Sequence, residues 1–186
     1  MTPEKLGQVE ELKGRKTSME IVNIRVDDKI FKYEIVHRSS AVAAILETED
    51  GRFIFINQFR IPVHCEILEA VAGCIDGNEH PVECIKREVE EETGHQVIPS
   101  NMFNENIRYL GSVIASPGYS DEIIHLYYAK VNSIAGKQRP DDDERIKVSY
   151  FTFDQIQNIV EKGEIKDAKT LLVWYEYLRQ IKKNEM

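Results

Sequence analysis

The pattern of apolar and polar positions divides the chain into an irregular beginning, a strand-rich middle and a helical end. Residues 1–16 are polar and charged without a clear period, and we expect them at the surface or against a partner. Residues 19–26 and 30–36 have strand-like patterns on either side of the turn residues 27–29, which predicts a β-hairpin. Short apolar runs bounded by turn formers predict further strands at 41–46, 53–59, 108–115, 122–131 and 146–151.

One helix is predicted in the middle of the chain. Pro81 suits the first helical turn, where its missing N–H would be unpaired in any case. Val82, Ile85 and Val89 then follow at a helical period and form one apolar face. Gly94 stands where such a helix would end.

Two more helices are predicted near the end of the chain. Thr152 and Gln155 predict a capping box for a helix over 153–162. Asp167 predicts the N-cap of the last helix, whose apolar stripe we interpret as core: Leu171, Trp174, Leu178 and Ile181. Strands with one helix in the middle and helices at the end predict an α+β fold, arranged as an α/β/α sandwich.

Three glutamates lie together on the middle helix. Glu88 and Glu92 are four residues apart, and Glu91 lies on the adjoining face. Like charges this close repel each other, so the helix gains nothing from them alone. Carboxylate oxygens are the ligands that Mg²⁺ or Mn²⁺ prefers, and Arg87 is placed to pair with Glu91 one turn on. The alternative for an acidic run is a solvated helix face.

Composition and charge exclude several classes of protein. The 186 residues suit one domain of ordinary size, or a domain with a small N-terminal extension. The net charge of −8 argues against nucleic acid or an anionic membrane as the main partner. The sequence contains neither an apolar stretch long enough to cross a bilayer nor the apolar core of a signal peptide. We therefore expect a cytoplasmic protein.

The cysteines agree with a reducing compartment. Cys65, Cys74 and Cys84 are odd in number and form no CxxC pair. This pattern favours reduced thiols over a disulfide framework or a zinc site. We interpret them as small buried apolar residues rather than as catalytic thiols.

The middle helix belongs to a longer motif with fixed spacing. Five residues separate Gly73 from Glu79, and seven more precede the run from Arg87 to Gly94. Together these positions resemble the Nudix box, a loop–helix–loop that binds divalent metal and cleaves a diphosphate joined to a further group. The family usually has an apolar residue after the last glycine, and this chain has His95, a difference that concerns packing more than chemistry.

The resemblance extends over residues 35–180, to the branch that includes ADP-ribose and nucleoside-diphosphate-sugar pyrophosphatases. It implies a Nudix fold with a mixed sheet, a Nudix domain over 39–186, and an N-terminal β-hairpin extension over 1–38 that commonly contributes to a homodimer. The features that carry it beyond the box are Gln58-Phe59-Arg60, Leu68-Glu69-Ala70-Val71-Ala72-Gly73, Ser116-Pro117-Gly118 with Glu122, the acidic loop before Ile146, and Gly163-Glu164-Ile165 with Asp167-Ala168-Lys169-Thr170.

The same resemblance implies a metal site. Glu88, Glu91 and Glu92 would supply ligands to Mg²⁺, with Mn²⁺ as the alternative ion, and the backbone carbonyl of Ala72 would supply a further one. Glu144, in the acidic loop over 141–144, matches a glutamate that commonly acts as base or metal ligand.

Further residues are expected at the substrate. Arg60 matches an arginine near the phosphates, and Glu69 would bind metal, a ribose hydroxyl or Arg60. Asp142 is the second choice after Glu144 for the acidic-loop role, for which a solvated turn is the alternative, and Glu122 is expected to approach the substrate.

The implied activity is metal-dependent hydrolysis of ADP-ribose or a related nucleoside diphosphate sugar. Two or more Mg²⁺ ions would neutralise the diphosphate while a water, deprotonated by a carboxylate, attacks a phosphorus. ADP-ribose would give AMP and ribose 5-phosphate. The alternatives are another Nudix substrate, such as GDP-mannose, a dinucleotide or a nucleoside triphosphate, and a module that binds ADP-ribose without cleaving it.

Overall fold

The computed structural model describes residues 3–99, 106–140 and 145–184, and in them the chain forms two compact units. The first unit consists of Met1–Ser40 and Val113–Ile124, and the second of Ala41–Ser112 and His125–Met186.

The first unit contains an antiparallel sheet in the order β1-β2-β3. Its strands are β1 (Glu4–Lys13), β2 (Thr17–Val26) and β3 (Lys29–Arg38). The predicted hairpin is present as β2 and β3, paired from Thr17↔Arg38 to Val26↔Lys29. Asp27 has a φ of 52° in the turn, a conformation that aspartate tolerates better than most residues.

Strand β1 was not predicted, since residues 1–16 show no clear period and were expected only to lie at the surface or against a partner. The pairing of β1 with β2 shifts register between Lys5 and Gly7 and again between Gln8 and Glu10. Each shift breaks the two-residue alternation by which a strand is recognised in a sequence. The N-terminal extension is therefore a three-stranded sheet rather than a hairpin.

Residues 113–124 are hydrogen-bonded to β3 within the first unit. The Val36 N–H donates to the Tyr119 carbonyl at 2.7 Å, and the Tyr33 hydroxyl donates to the Gly118 carbonyl at 2.5 Å. His37 lies between Asp121 at 2.5 Å and Glu20 at 3.1 Å. The hydrogen bond to Asp121 and the further one to Glu20 raise the pKa of His37.

The second unit is built on a mixed sheet in the order β10-β5-β4-β9-β8, with β6 paired to β5 and β7 paired to β4. The strands of this sheet are β4 (Ala41–Thr48), β5 (Phe53–Arg60), β6 (Cys65–Glu69), β7 (Val71–Cys74), β8 (Ile107–Ile114), β9 (Ile123–Val131) and β10 (Ile146–Phe151). The last two residues of β8 and the first two of β9 are counted with the first unit. Its helices are α1 (Pro81–Thr93), α2 (Phe153–Glu161) and α3 (Ala168–Asn184). The predicted α+β class is confirmed, and each predicted strand and helix is present within a few residues of its expected bounds.

The two faces of β5 show how the layers form. Ile54 and Ile56 join the core that includes Ile85 and Val89 of α1. The alternate residues Phe53 and Phe55 contact Trp174 of α3, with ring centroids 5.4 and 6.2 Å apart. Successive side chains of a strand point to opposite faces, so helices cover both sides of the sheet. Each fully buried side chain of this size contributes about 1.5–3 kcal/mol of hydrophobic stabilisation.

The helix ends follow the sequence signals. Pro81 begins α1, and Gly94 ends it with a φ of 73°. Thr152 and Gln155 form the predicted capping box at α2. Asp167 Oδ2 accepts the Thr170 N–H at 3.0 Å, which confirms the predicted N-cap of α3.

The apolar stripe of α3 is only partly as predicted. Trp174 is fully buried, but Leu171 and Leu178 are half-buried, and the side chain of Ile181 lies outside the described part of the chain. The buried face is rotated toward Val173 and Tyr177, because the aromatic side chains of β5 meet the helix on that side.

Candidate active site

Gly73, the first residue of the motif, lies in β7 directly against helix α1. A Cβ atom built on Gly73 would overlap with the carboxyl group of Glu88. Any other residue here would displace that carboxylate, so the glycine leaves room for the Glu88 side chain against the strand.

Arg87 collects the carboxylates of the motif around one guanidinium group. Its Nε and Nη2 atoms donate to the two oxygens of Glu79 at 3.1 and 3.0 Å. Its Nη1 atom donates to Glu88 at 2.7 Å and to Glu91 at 3.0 Å, and Nη2 also reaches the Cys74 carbonyl at 3.1 Å. The predicted pairing of Arg87 with Glu91 is confirmed, and the arginine serves two further carboxylates.

This network explains how the helix carries its acidic residues. The hydrogen bonds from Arg87 lower the pKa of Glu79, and those same bonds, with the charges of Glu88, raise the pKa of Arg87. Charge-assisted and bidentate hydrogen bonds are the strong ones in proteins, so the arginine offsets the repulsion between neighbouring glutamates.

Glu92 turns inward instead of joining the Arg87 network. It is 2% exposed, and its Oε2 accepts the backbone N–H of Ala72 at 3.3 Å. The carboxylate is thereby held beside the strand whose Ala72 carbonyl is the predicted metal ligand.

The carboxylate oxygens of this site are ligands that a hard divalent cation prefers. In the structure, however, they do not converge on one point. Among the described residues, no group of three His, Cys, Asp or Glu side chains is arranged to hold a metal ion. Arg87 accounts for this arrangement, because it bonds to Glu88 and Glu91 at once. An ion binding there would replace these two contacts, while the bidentate pair of Arg87 with Glu79 remains available to hold the arginine.

A second charged cluster surrounds Glu69. Arg60 donates from Nε and Nη2 to both oxygens of Glu69 at 2.7 Å, and Lys169 of α3 also donates to Glu69. Of the three roles predicted for Glu69, contact with Arg60 is the one present in the structure.

Glu69 is ionised in spite of its burial. The side chain is 2% exposed, and burial alone would raise its pKa. The hydrogen bonds from Arg60 and the charge of Lys169 outweigh burial and lower the pKa of Glu69. Glu69 in turn raises the pKa of Arg60, and the negative charges of Glu92 and Asp167 add to this effect. The Glu92 carboxylate of the box is thus close enough to Arg60 to stabilise the positive charge of the guanidinium.

Three further residues were predicted at the site, namely Glu122, Asp142 and Glu144. Glu122 belongs to the first unit, where it pairs with Arg38 at 3.4 Å. Asp142 and Glu144 fall outside the described residues.

The histidines and cysteines have structural surroundings. His95 is fully buried, with Nδ1 at 2.6 Å from the Asn132 carbonyl and Nε2 at 2.8 Å from the Tyr150 hydroxyl. His80 is the N-cap of α1. Cys84 is buried as predicted, and burial raises the pKa of its thiol to about 12, so it remains protonated. Cys65 is exposed, contrary to prediction, because it opens the edge strand β6 after the 3-10 turn Ile61–Val63.

Lys169 is the residue of the site to which sequence reasoning assigned no role. Its partner Glu69 is a hundred residues away in the chain, so no local pattern reveals the pair. The sequence feature that could have indicated a role for Lys169 is the run Asp167-Ala168-Lys169-Thr170, which forms part of the resemblance to the pyrophosphatase branch.

Comparison with known proteins gives a consistent picture. The family model described as NUDIX domain matches residues 37–175. The chain is 33% identical to the ADP-ribose pyrophosphatase of Bacillus subtilis, over 82% of this chain and 83% of that protein. It is 33% identical to the methanol dehydrogenase activator of Bacillus methanolicus, over 97% and 100%. It is 34% identical to the GDP-mannose pyrophosphatase of Yersinia enterocolitica, over 75% and 74%.

The fold is also that of a solved protein. A crystal structure of an ADP compounds hydrolase superposes with a TM-score of 0.81 at 17% identity, over 99% of this chain and 96% of that one. In the described part of the chain, no helix is long and apolar enough to cross a membrane.

We predict that Gly73→Ala disables the box while preserving the fold. The new methyl group displaces the Glu88 carboxylate, so Mn²⁺ binding, measured by calorimetry, should weaken by about tenfold or more, as for a lost metal-supporting contact. Gly118→Ala is the control, because a Cβ there meets no described residue within 4 Å and the φ of Gly118 is not positive. Equal Mn²⁺ affinity in Gly73→Ala and the unaltered protein would contradict this account of the glycine.

Proposed function

The chain belongs to the NUDIX domain family, and on that premise we propose that it hydrolyses the diphosphate linkage of ADP-ribose or a related nucleoside diphosphate sugar. The reaction depends on Mg²⁺, with Mn²⁺ as a substitute. From ADP-ribose the products are AMP and ribose 5-phosphate.

The observation that carries the proposal is that the second unit contains both the carboxylates grouped at α1 and the charge-balanced cluster of Arg60, Glu69 and Lys169. Arg87 holds Glu79, Glu88 and Glu91 on one side of α1, and Glu92 lies against β7. Cleavage of a diphosphate depends chiefly on charge neutralisation and positioning, which such an arrangement supplies with few reactive groups.

We assign the metal to the carboxylates of α1. Glu88, Glu91 and Glu92 are the side-chain ligands, with the Ala72 carbonyl as a further one. When bound, Mg²⁺ supplies positive charge to the diphosphate oxygens and favours attack by water. Gly73 gives Glu88 room to turn, and Arg87 stays paired with Glu79 as the other two carboxylates change partners.

The remaining roles are proposals for individual residues. Arg60 binds the phosphates through its guanidinium group, because two parallel N–H groups of an arginine can bond to two oxygens of a phosphate. Glu144, or in its place Asp142, acts as the base or completes the metal site, and Glu91 and Glu92 are the other candidates for the base.

The group beyond the diphosphate is the least constrained part of the proposal. Relatives of similar identity are named for ADP-ribose and for GDP-mannose. The relative that spans 97% of the chain is named as a methanol dehydrogenase activator, and this coverage makes activation of a dehydrogenase a second candidate function. The Glu91→Gln variant can be added to a methanol dehydrogenase and the activity of the dehydrogenase measured. If the variant still activates the dehydrogenase, activation depends on binding and not on hydrolysis.

We predict that ADP-ribose is cleaved faster than GDP-mannose, dinucleotides and nucleoside triphosphates when each is incubated with Mg²⁺ and the products are separated.

Glu91→Gln and Glu92→Gln should each lower kcat by about a hundredfold or more, because they remove transition-state charge stabilisation. Glu83→Gln is the matched control, since Glu83 is exposed on the same helix and pairs with Lys86 at 2.7 Å.

Near-normal turnover in both box variants would refute the assignment of α1. Saturable ADP-ribose binding without product would favour the binding module instead. Faster cleavage of another member of the panel would keep the diphosphate chemistry and change the substrate.

We further propose a cytoplasmic homodimer formed through residues 1–38, with the N-terminal segment of one chain near the substrate pocket of its partner. The β1–β3 sheet exposes large apolar side chains on both of its faces, Phe31 and Tyr33 on one and Leu12 and Ile30 on the other, and a second copy of the chain would cover one of these faces. The large apolar side chains that the sheet exposes are Leu6, Leu12, Ile30, Phe31 and Tyr33.

We predict that Phe31→Asp dissociates this dimer, because it places a charge among the exposed apolar residues. Sedimentation equilibrium should give twice the chain mass for the unaltered protein and one chain mass for the variant, with a higher KM. The control is Leu172→Asp on α3, which is also exposed. A full-length protein that sediments as a monomer would rule out the dimer at once.

A further inference from the structure

The start of α3 carries a lysine to which the proposed reaction gives no role. The Lys169 ammonium is ion-paired with Glu69 and lies 3.0 Å from Asp167 Oδ2. Its side chain is 17% exposed, and its stem is covered by protein. An ammonium that is this well enclosed needs its partners, because an unpaired charge is costly away from water.

The turn that carries Lys169 is fixed by bonds of its own. Asp167 Oδ2 accepts the N–H and the hydroxyl of Thr170, at 3.0 and 2.5 Å. Thr170 Oγ1 in turn accepts the backbone N–H of Ala70 at 2.8 Å. Ala70 directly follows Glu69, so the helix start is tied to the backbone beside the carboxylate. Lys169 therefore approaches Glu69 from an anchored position.

Glu69 uses both of its oxygens to hold one edge of Arg60. The bonds run from Nε and Nη2, which leaves the Nη1 edge of the guanidinium without a protein partner among the described residues. The Arg60 side chain as a whole is 37% exposed, so it is not enclosed by these partners. Arginine presents its N–H groups in a rigid fork, and fixing one edge fixes the direction of the other.

The charges of the cluster balance only when Lys169 is included. Arg60 and Lys169 carry two positive charges, and Glu69 and Asp167 carry two negative ones. Without the lysine the cluster would have a net negative charge beside the place where Arg60 meets a phosphate. That charge would repel an anionic ligand.

We propose that Lys169 is a positioning residue for diphosphate binding: it neutralises and orients Glu69, so that Glu69 grips one edge of Arg60 and directs the Nη1 edge to a phosphate oxygen. The inference rests on the function proposed above, since it gives Arg60 the phosphate role. Lys169 acts through Glu69 and Arg60 and does not itself touch the diphosphate.

Calorimetric titration with inorganic pyrophosphate in excess Mg²⁺ tests this directly. Lys169→Met should weaken binding by about tenfold, the effect expected when one charge-assisted hydrogen bond of a network is lost. Lys169→Arg keeps the charge and should restore most of the affinity. Lys166→Met is the matched control, because Lys166 is exposed and, among the described residues, donates only to the Gly163 carbonyl at 2.8 Å.

A double-mutant cycle separates positioning from direct contact. If Lys169 acts through Arg60, then Arg60→Met with Lys169→Met should lose little more affinity than Arg60→Met alone. With ADP-ribose as substrate, Lys169→Met should raise KM while kcat stays within about twofold, the pattern of lost uniform binding. The thermal midpoint of each variant shows whether the fold is retained.

The outcomes distinguish this inference from the proposed function. Additive losses, or unchanged pyrophosphate affinity in Lys169→Met, overturn the positioning role even if ADP-ribose is hydrolysed. Coupled losses with pyrophosphate support it even if ADP-ribose proves not to be a substrate. Absence of pyrophosphate binding by the unaltered protein would overturn the phosphate role of Arg60, and the inference with it.

Discussion

The guanidinium of Arg87 is the constraint on which the site depends. Helix α1 places several carboxylates within a few ångströms of each other, and their repulsion would otherwise work against the helix and its contact with β7. Arg87 bonds to two of them, Glu88 and Glu91, to Glu79 of the preceding loop, and to the Cys74 carbonyl of β7, so that strand, loop and helix meet at one cation. Arginine suits this position because it remains charged and has five donors in a fixed plane.

The same interaction explains why acidic residues persist at a place where they add little stability. Glu79 takes the bidentate edge of Arg87, while Glu88 and Glu91 share a single nitrogen. The two shared contacts are the easier ones to exchange for a cation. A second balanced cluster, around Glu69, holds Arg60 in a comparable way. The protein thus has two sets of paired charges, to one of which we assign the metal and to the other the phosphate.

Much of this could be predicted from the sequence, because the decisive signals are local. Pro81, the apolar period and Gly94 define α1, and the spacing from Gly73 to Gly94 defines the motif. Strand β1 was missed because two register shifts disrupt its alternation. The role of Lys169 was missed for a different reason, since its pairing with Glu69 spans a hundred residues and depends on how α3 meets the sheet. The aromatic side chains of β5 likewise determine which face of α3 is buried. The helix period alone predicted Leu171 and Leu178 on that face, whereas the structure buries Val173 and Tyr177.

Anomalous diffraction from crystals soaked in Mn²⁺ tests the central claim most directly. The account predicts density for at least one ion that contacts Glu88 and either Glu91 or Glu92. Arg87 should no longer bond to Glu88 and Glu91 but should keep both of its hydrogen bonds to Glu79. Ordered Mn²⁺ bound away from α1, or an ion at α1 that draws Glu79 away from Arg87, would contradict it.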